Sequence, residues 1–168
     1  MPADVPAPAP RFVELSLDPS ATGLLSRATA LLCSRLYPGC VMQALKERAV
    51  RLWVAVACAT KANTRHGAVG AALLWRWHPN AGTVEVLLLA ACKAKAVPGL
   101  ATALAGACFR AQQQQLRARR VALYAAPGAV QYWRERHSMV EAAASGGTNC
   151  GLFNPRCEPL CSFMAKAL

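Results

Sequence analysis

The segment Thr83-Val84-Glu85-Val86-Leu87-Leu88-Leu89-Ala90-Ala91-Cys92 decides the architecture, together with Ala96-Val97-Pro98-Gly99-Leu100-Ala101-Thr102 that follows Lys93-Ala94-Lys95. Its first half is an apolar run of strand length, interrupted by one carboxylate, Glu85. Its second half is a small-residue turn at Pro98-Gly99, from which Leu100 opens a helix expected to reach about Arg117. A strand that feeds a helix through such a turn is one arm of a crossover, and it implies a sheet with helices on its faces.

Upstream, Ala68 to His78 (AVGAALLWRWH) reads as a strand, and Pro79-Asn80-Ala81-Gly82 supplies the turn that folds it against Thr83 to Cys92 as a hairpin. Leu52 to Cys58 (LWVAVAC) precedes it across a polar loop from Ala59 to Gly67. Phe12 to Leu17 alternates as a short strand. Leu24, Leu25, Ala28, Leu31, Leu32 and Leu36 then recur at helical spacing through Ala21 to Leu36, and a shorter helix is expected from Cys40 to Ala49 after the break at Pro38-Gly39. Downstream, Val121 to Ala125 is a strand and Gly128 to Arg136 a helix. Ser145 to Gly151 is a glycine-rich loop, and Pro159 to Leu168 offers a terminal strand. The order β-α-α-β-β-β-α-β-α-β describes an α/β chain with a mixed, mostly antiparallel central sheet. Residues 1–11, rich in Pro and Ala, read as a disordered leader, and 12–168 as a single domain.

The chain has 168 residues, 55% of them hydrophobic and 16% charged, which excludes a wholly disordered protein. The apolar runs Thr83 to Cys92 and Ala96 to Phe109 are separated by Lys93 and Lys95, and neither reaches the ~20 residues that a bilayer requires, so no membrane span is expected. A net charge of +11 favours an anionic partner: a nucleic acid, an anionic surface or a phosphorylated small molecule. The start, MPADVPAPAPR, lacks the apolar stretch of a secretory signal, so the eight cysteines are expected reduced, in an intracellular setting, cytoplasmic or nuclear. Cys58, Cys92 and Cys108 lie in apolar segments as small hydrophobes. Cys150, Cys157 and Cys161 with His137 lack a paired C-x-x-C knuckle, and no metal is expected.

Glu85 is the carboxylate that stands apart. Buried in its strand it would be a proton acceptor near neutral pH; at an exposed strand start it would be an ordinary carboxylate. The turn before Leu100 offers unpaired backbone N–H groups at the positive end of a helix dipole, suited to phosphate, with Lys93 and Lys95 adding charge.

The element order and these features resemble the GCN5-related N-acetyltransferase family, most specifically from Thr83 to about Met139. Glu85-Val86-Leu87-Leu88-Leu89-Ala90-Ala91 is similar to the E-[IV]-x-x-x-A-[VI] strand of its histone acetyltransferase branch. Ala96 to Ala101 falls on the pyrophosphate loop Q/R-x-x-G-x-G/A, and Ala129 to Ser138 resembles A-x-x-[FY]-[FY]-x-[KR]-x-G-F. The resemblance implies acetyl transfer from acetyl-CoA to an amine, with Glu85 as general base. It implies that backbone groups around Leu89, Ala90 and Ala91 hold the pantetheine arm, and that the loop of Val97, Gly99, Leu100, Ala101 and Thr102 binds the pyrophosphate. Trp133 stands at the position of the family's frequent acid tyrosine, so that role passes to Tyr132 or Tyr124. Ala96 replaces Gln or Arg, Pro98 removes an N–H, Ala126 replaces a cofactor-contacting Asn, and His137-Ser138 replaces Gly-Phe. These departures motivate the alternative, a catalytically lapsed fold acting as a basic module for nucleic acid or a protein.

Arg117-Ala118-Arg119-Arg120 reads as a solvated helix end or a nucleic-acid patch. Trp53, Trp75, Trp77 and Trp133 read as core, with an aromatic platform for single strands as the competing reading. His66 and His78 lie beside turns and read as surface histidines. The scarcity of carboxylates disfavours strongly cationic peptides as acceptors. Small amines, protein N-termini and lysine side chains remain open.

Overall fold

The computed structural model describes residues 9–15, 17, 22–47, 49–57, 68–92, 98–142 and 161–168. Within them lie β1 (Arg11–Leu15), α1 (Thr22–Arg35), α2 (Pro38–Lys46), β2 (Val50–Ala57), β3 (Ala68–His78), β4 (Thr83–Ala91), α3 (Leu100–Leu116), β5 (Arg120–Ala125), α4 (Pro127–His137), β6 (Val140–Glu141) and β7 (Ser162–Ala167). The strands form one seven-stranded sheet in the order β1-β2-β3-β4-β5-β7-β6. Every pairing is antiparallel except β4 with β5, the pair joined by the α3 crossover. This is the mixed, mostly antiparallel α/β sheet that the sequence predicts.

Alternation along the strands separates two cores. Leu73, Trp75, Val84, Val86, Val121 and Leu123 pack beneath α3 and α4. On α3 the buried positions Leu100, Leu104, Ala105, Cys108, Phe109 and Gln112 supply the matching helical stripe. Leu52, Val54, Ala72, Leu74, Leu87 and Ala90 pack on the opposite face, against Ala28 and Leu32 of α1 and Val41 and Ala44 of α2. Trp75 is buried and Trp53, Trp77 and Trp133 pack into the α3–α4 core, so the tryptophans are core and not an open platform.

Four expectations need correction. The second short helix begins at Pro38 rather than Cys40 and ends at Lys46 rather than Ala49. Proline is accommodated in a first helical turn, whose N–H groups are unpaired anyway, and Ala49 adopts φ 63°, which no helix continues. Arg11 already belongs to β1, one residue inside the expected leader. The two-residue β6 was missed because it is too short to show alternation. Cys92 is exposed and not a packed hydrophobe, whereas Cys108 is fully buried. The rest of the leader, the loop from 59 to 67 with His66, the loop from 145 to 151, Cys58, Cys150 and Cys157 lie outside the described residues. No helix among the described residues is long and apolar enough to cross a membrane.

Candidate active site

The β3–β4 ladder carries one irregularity. Trp75 pairs with Val86 and Leu74 with Leu88, which leaves Leu87 as an extra residue, a β-bulge. Leu87 and Leu88 therefore both turn toward the α1–α2 face, and alternation resumes one residue out of step. The run of three leucines hides this from any periodic reading. On the other side of β4, the parallel ladder with β5 spans only Thr83–Val86 against Arg120–Leu123 and stops where the bulge begins. Beyond it the two strands diverge. Leu87, Leu88, Leu89, Ala90 and Ala91 thus present a backbone edge with no strand beside it on the β5 side, among the described residues. The expected pantetheine-binding positions Leu89, Ala90 and Ala91 lie along this wedge.

Helix α3 makes the crossover from β4 to β5 and packs on the face of the sheet that carries Leu73 and Trp75. Gly99 caps it with φ 79°, a left-handed conformation that favours glycine, and no side chain caps the helix. The first helical bond is from Ala103 N–H to the Gly99 carbonyl, so the amides of Leu100, Ala101 and Thr102 precede the ladder and have no partner within the helix. The first turn holds no acidic residue. The chemistry of this donor set suits a phosphate oxygen. Val97, Lys93 and Lys95, expected at the same site, lie outside the described residues.

Glu85 is 1% exposed, which removes the reading of an open strand-start carboxylate. It sits opposite Arg76 across the β3–β4 ladder, and both side chains lie on the α1–α2 face. Glu85 Oε2 accepts N–H groups from Arg76 Nε at 3.1 Å and Nη2 at 2.9 Å, and it lies 2.7 Å from His78 Nε2. An ionised carboxylate only accepts, so that His78 nitrogen carries the proton. Arg76 Nη1 also donates to Glu47 Oε2 at 3.0 Å, at the C-terminal end of α2. Sequence reading treated His78 as a surface histidine and passed over Arg76 and Glu47. The signal was present: two strands closed by Pro79 to Gly82, with His78 opposite Thr83, bring Arg76 to Glu85 two rungs later. An open cavity of about 530 Å³ between α2 and β3 is lined by Gln43, Lys46, Glu47 and Arg76.

The two tyrosines are not brought together. Tyr124 follows Ala122 on the Glu85 face of β5, half-buried, with its ring against Phe163 at 5.4 Å. Tyr132 packs on the α3–α4 side, where Thr102 Oγ1 donates to its hydroxyl at 3.3 Å and His137 Nε2 lies 3.2 Å from it. Burial pushes the Tyr132 phenol above its ordinary pKa, so it holds its proton at neutral pH. Burial, aided by the charge of Lys166, lowers His137 to about 4, so this imidazole is neutral and can accept from Tyr132. His137 is thus engaged in a network that bridges α3 and α4. No group of His, Cys, Asp and Glu among the described residues is arranged to hold a metal, and Cys150 and Cys157 lie outside them. Arg117 closes α3 in a left-handed conformation, and Arg119 and Arg120 lead exposed into β5. The guanidinium of Arg120 lies over the Phe163 ring at 5.6 Å.

No protein-family model matches this chain, and no curated protein matches it in sequence. Solved structures do match. Tetrahymena GCN5 superposes with a TM-score of 0.70 at 16% identity, covering 94% of this chain and 95% of that one. The catalytic domain of Tetrahymena GCN5 histone acetyltransferase in complex with coenzyme A gives 0.67 at 16% identity, with 94% and 92% covered. An acetyltransferase of the GNAT family from Staphylococcus aureus gives 0.68 at 10% identity, over 95% and 99%. With identities this low the likeness lies in the path of the backbone, and it extends over nearly the whole length of each partner. The chain has the fold of the GCN5-related N-acetyltransferases.

Proposed function

We propose that this protein is an acetyl-CoA-dependent N-acetyltransferase. The observation that carries the reading is the early end of the β4–β5 ladder at Val86, in a crossover whose helix α3 starts uncapped, with Glu85 buried on the α1–α2 side of the same strand. In this reading the acyl donor lies along the edge from Leu87 to Ala91, with its pyrophosphate on the amides of Gly99, Leu100, Ala101 and Thr102; Lys93 and Lys95, which precede that turn in the sequence, are proposed to add positive charge. The acceptor approaches from the α1–α2 face. Glu85 takes a proton from the acceptor ammonium, directly or through one water. The amine nitrogen then forms a bond to the thioester carbonyl carbon, the C–S bond breaks, and Tyr132 returns a proton to the departing sulfur, with Tyr124 the other candidate. Backbone N–H groups and fixed geometry at the wedge supply the positioning and electrostatic parts of the rate.

A second reading, a basic binding module without activity, is favoured by the sealing of Glu85 beneath Arg76 and by the exposed Arg119 and Arg120. Calorimetric titration of the purified protein with acetyl-CoA, with ATP as an anion control, separates the two. Saturable binding that ATP cannot match supports the transferase. Binding no better than ATP supports the module, whose nucleic-acid affinity would then fall steeply with salt.

A further inference from the structure

A second open cavity, of about 560 Å³, is lined by α3, the end of α4 and the end of β7. The charged side chains around it are Arg110, Arg136 and Lys166, and no Asp or Glu lines it. Among the described residues, no carboxylate forms an ion pair with any of the three. Cations held around one cavity repel one another, and a bound anion removes that cost. Arg136 lies in the last turn of α4. Lys166 pairs with Val121 near the start of β5, the opposite end of that strand from where β4 leaves it. A Cβ on Gly106 would meet Arg110 Nη1 at 3.4 Å, so the bare turn at Gly106 lets this guanidinium lie back along α3. The charge of Lys166 bears on buried His137 and that of Arg136 on Tyr132, so both cations stand near the hydrogen-bonded pair whose imidazole lines the cavity.

A single carboxylate would leave two of the three cations unanswered. A phosphate group carries nearly two charges on one centre, and an arginine fork takes it through two parallel N–H groups. The volume exceeds that of an inorganic ion, and Ala103 and Phe109 give the cavity an apolar wall for an organic body. We infer that the α3–α4 cavity is a second ligand site, for a small phosphorylated molecule held by Arg110, Arg136 and Lys166. Of the residues assigned above to the acyl donor, only Thr102 lines it. The site stands whether or not the β4 edge takes acetyl-CoA.

The test is calorimetric titration of the full chain with inorganic triphosphate at fixed low salt. We expect saturable binding that Arg110→Gln with Lys166→Gln weakens at least about tenfold, the scale of one lost charged hydrogen bond. Arg35→Gln with Lys46→Gln removes the same charge from α1 and α2, on the other face of the sheet, and should leave the affinity within about twofold. In a parallel titration followed by nuclear magnetic resonance, the ring signals of His137, assigned with His137→Gln, should shift while those of His78 do not. Presaturation with coenzyme A should leave triphosphate affinity unchanged. Absent binding, an equal loss in the two double variants, or a still His137 ring overturns the inference. So does displacement of triphosphate by coenzyme A, with coenzyme A weakened by the Arg110 and Lys166 changes, because the cavity would then belong to the donor and the transferase reading would stand.

Discussion

Arg76 and Glu85 are directly opposed residues of one antiparallel ladder, and a single carboxylate oxygen of Glu85 receives both the Nε and Nη2 groups of Arg76. Through its remaining arm Arg76 reaches Glu47, so one cation ties the middle of the sheet to the end of α2. The proposed proton acceptor is therefore held in place from the neighbouring strand.

Glu85→Gln keeps the shape of the side chain and removes the proton acceptor. Turnover should fall by roughly 10²-fold or more, the scale of general-base catalysis, while acetyl-CoA binding measured by calorimetry is retained. Unchanged turnover would show that the base lies elsewhere.

Tyr132→Phe removes the hydroxyl that links Thr102 on α3 to His137 on α4. We expect kcat to drop at least about tenfold with little change in KM for the acceptor. The folded-state phenol titrates above its unfolded value, so the native protein holds the proton more tightly. This contribution to stability is complete below the unfolded pKa near 10 and is lost as pH rises beyond it. Urea midpoints above pH 10 should accordingly fall more steeply for wild type than for the phenylalanine variant.

His137 shows the opposite sign. Its folded pKa of about 4 lies below the unfolded value of 6.5, so unfolding takes up a proton between them. Stability is complete above pH 6.5 and declines as pH falls toward 4. His137→Gln should flatten that acid limb in urea midpoints taken at pH 7 and pH 4.5; an equally steep limb would assign the decline to the carboxylates.

Gly99→Ala places a Cβ on a residue with φ 79°. Space is not the obstacle, since nothing lies within 4 Å of that position. Conformation is, and the change should cost about 1 kcal/mol in denaturant titration. It should also weaken acetyl-CoA binding by disturbing the first amides of α3.

Alkylation of the native protein should mark Cys92 and spare Cys108. Burial raises the Cys108 thiol far above its ordinary range and keeps it protonated, whereas Cys92 is exposed. Peptide mapping by mass spectrometry reads this directly.

Much of the fold was legible because its strands are unusually plain. AVGAALLWRWH and TVEVLLLAAC are bounded by Pro79 to Gly82 on one side and by Pro98-Gly99 on the other, and β3 runs from Ala68 to His78 as expected. The bulge at Leu87 was illegible, since three successive leucines give the same pattern in or out of register. Glu85 could be singled out as a lone carboxylate in an apolar run. Its partners could not be found one residue at a time, because Arg76 and His78 become meaningful only when the hairpin is closed and the rungs are counted. His137 was weighed only as a metal ligand beside Cys150, Cys157 and Cys161 and set aside for want of a paired knuckle; its burial against Phe109 of α3 and Trp133 of its own helix appears only once the helices are packed.

The divergence of β4 from β5 also bears on how this protein survives in a cell. A sheet normally has its unsatisfied edges at its two sides, where charge and short strands blunt them; here, among the described residues, a third edge opens in the interior, from Leu87 to Ala91. In the transferase reading proposed above, an acyl donor seated there would fill the gap as an extra strand does. Occupancy would then raise resistance to unfolding as the logarithm of donor concentration over its Kd. The cell's supply of acyl-CoA would govern how long the protein lasts as well as how fast it works.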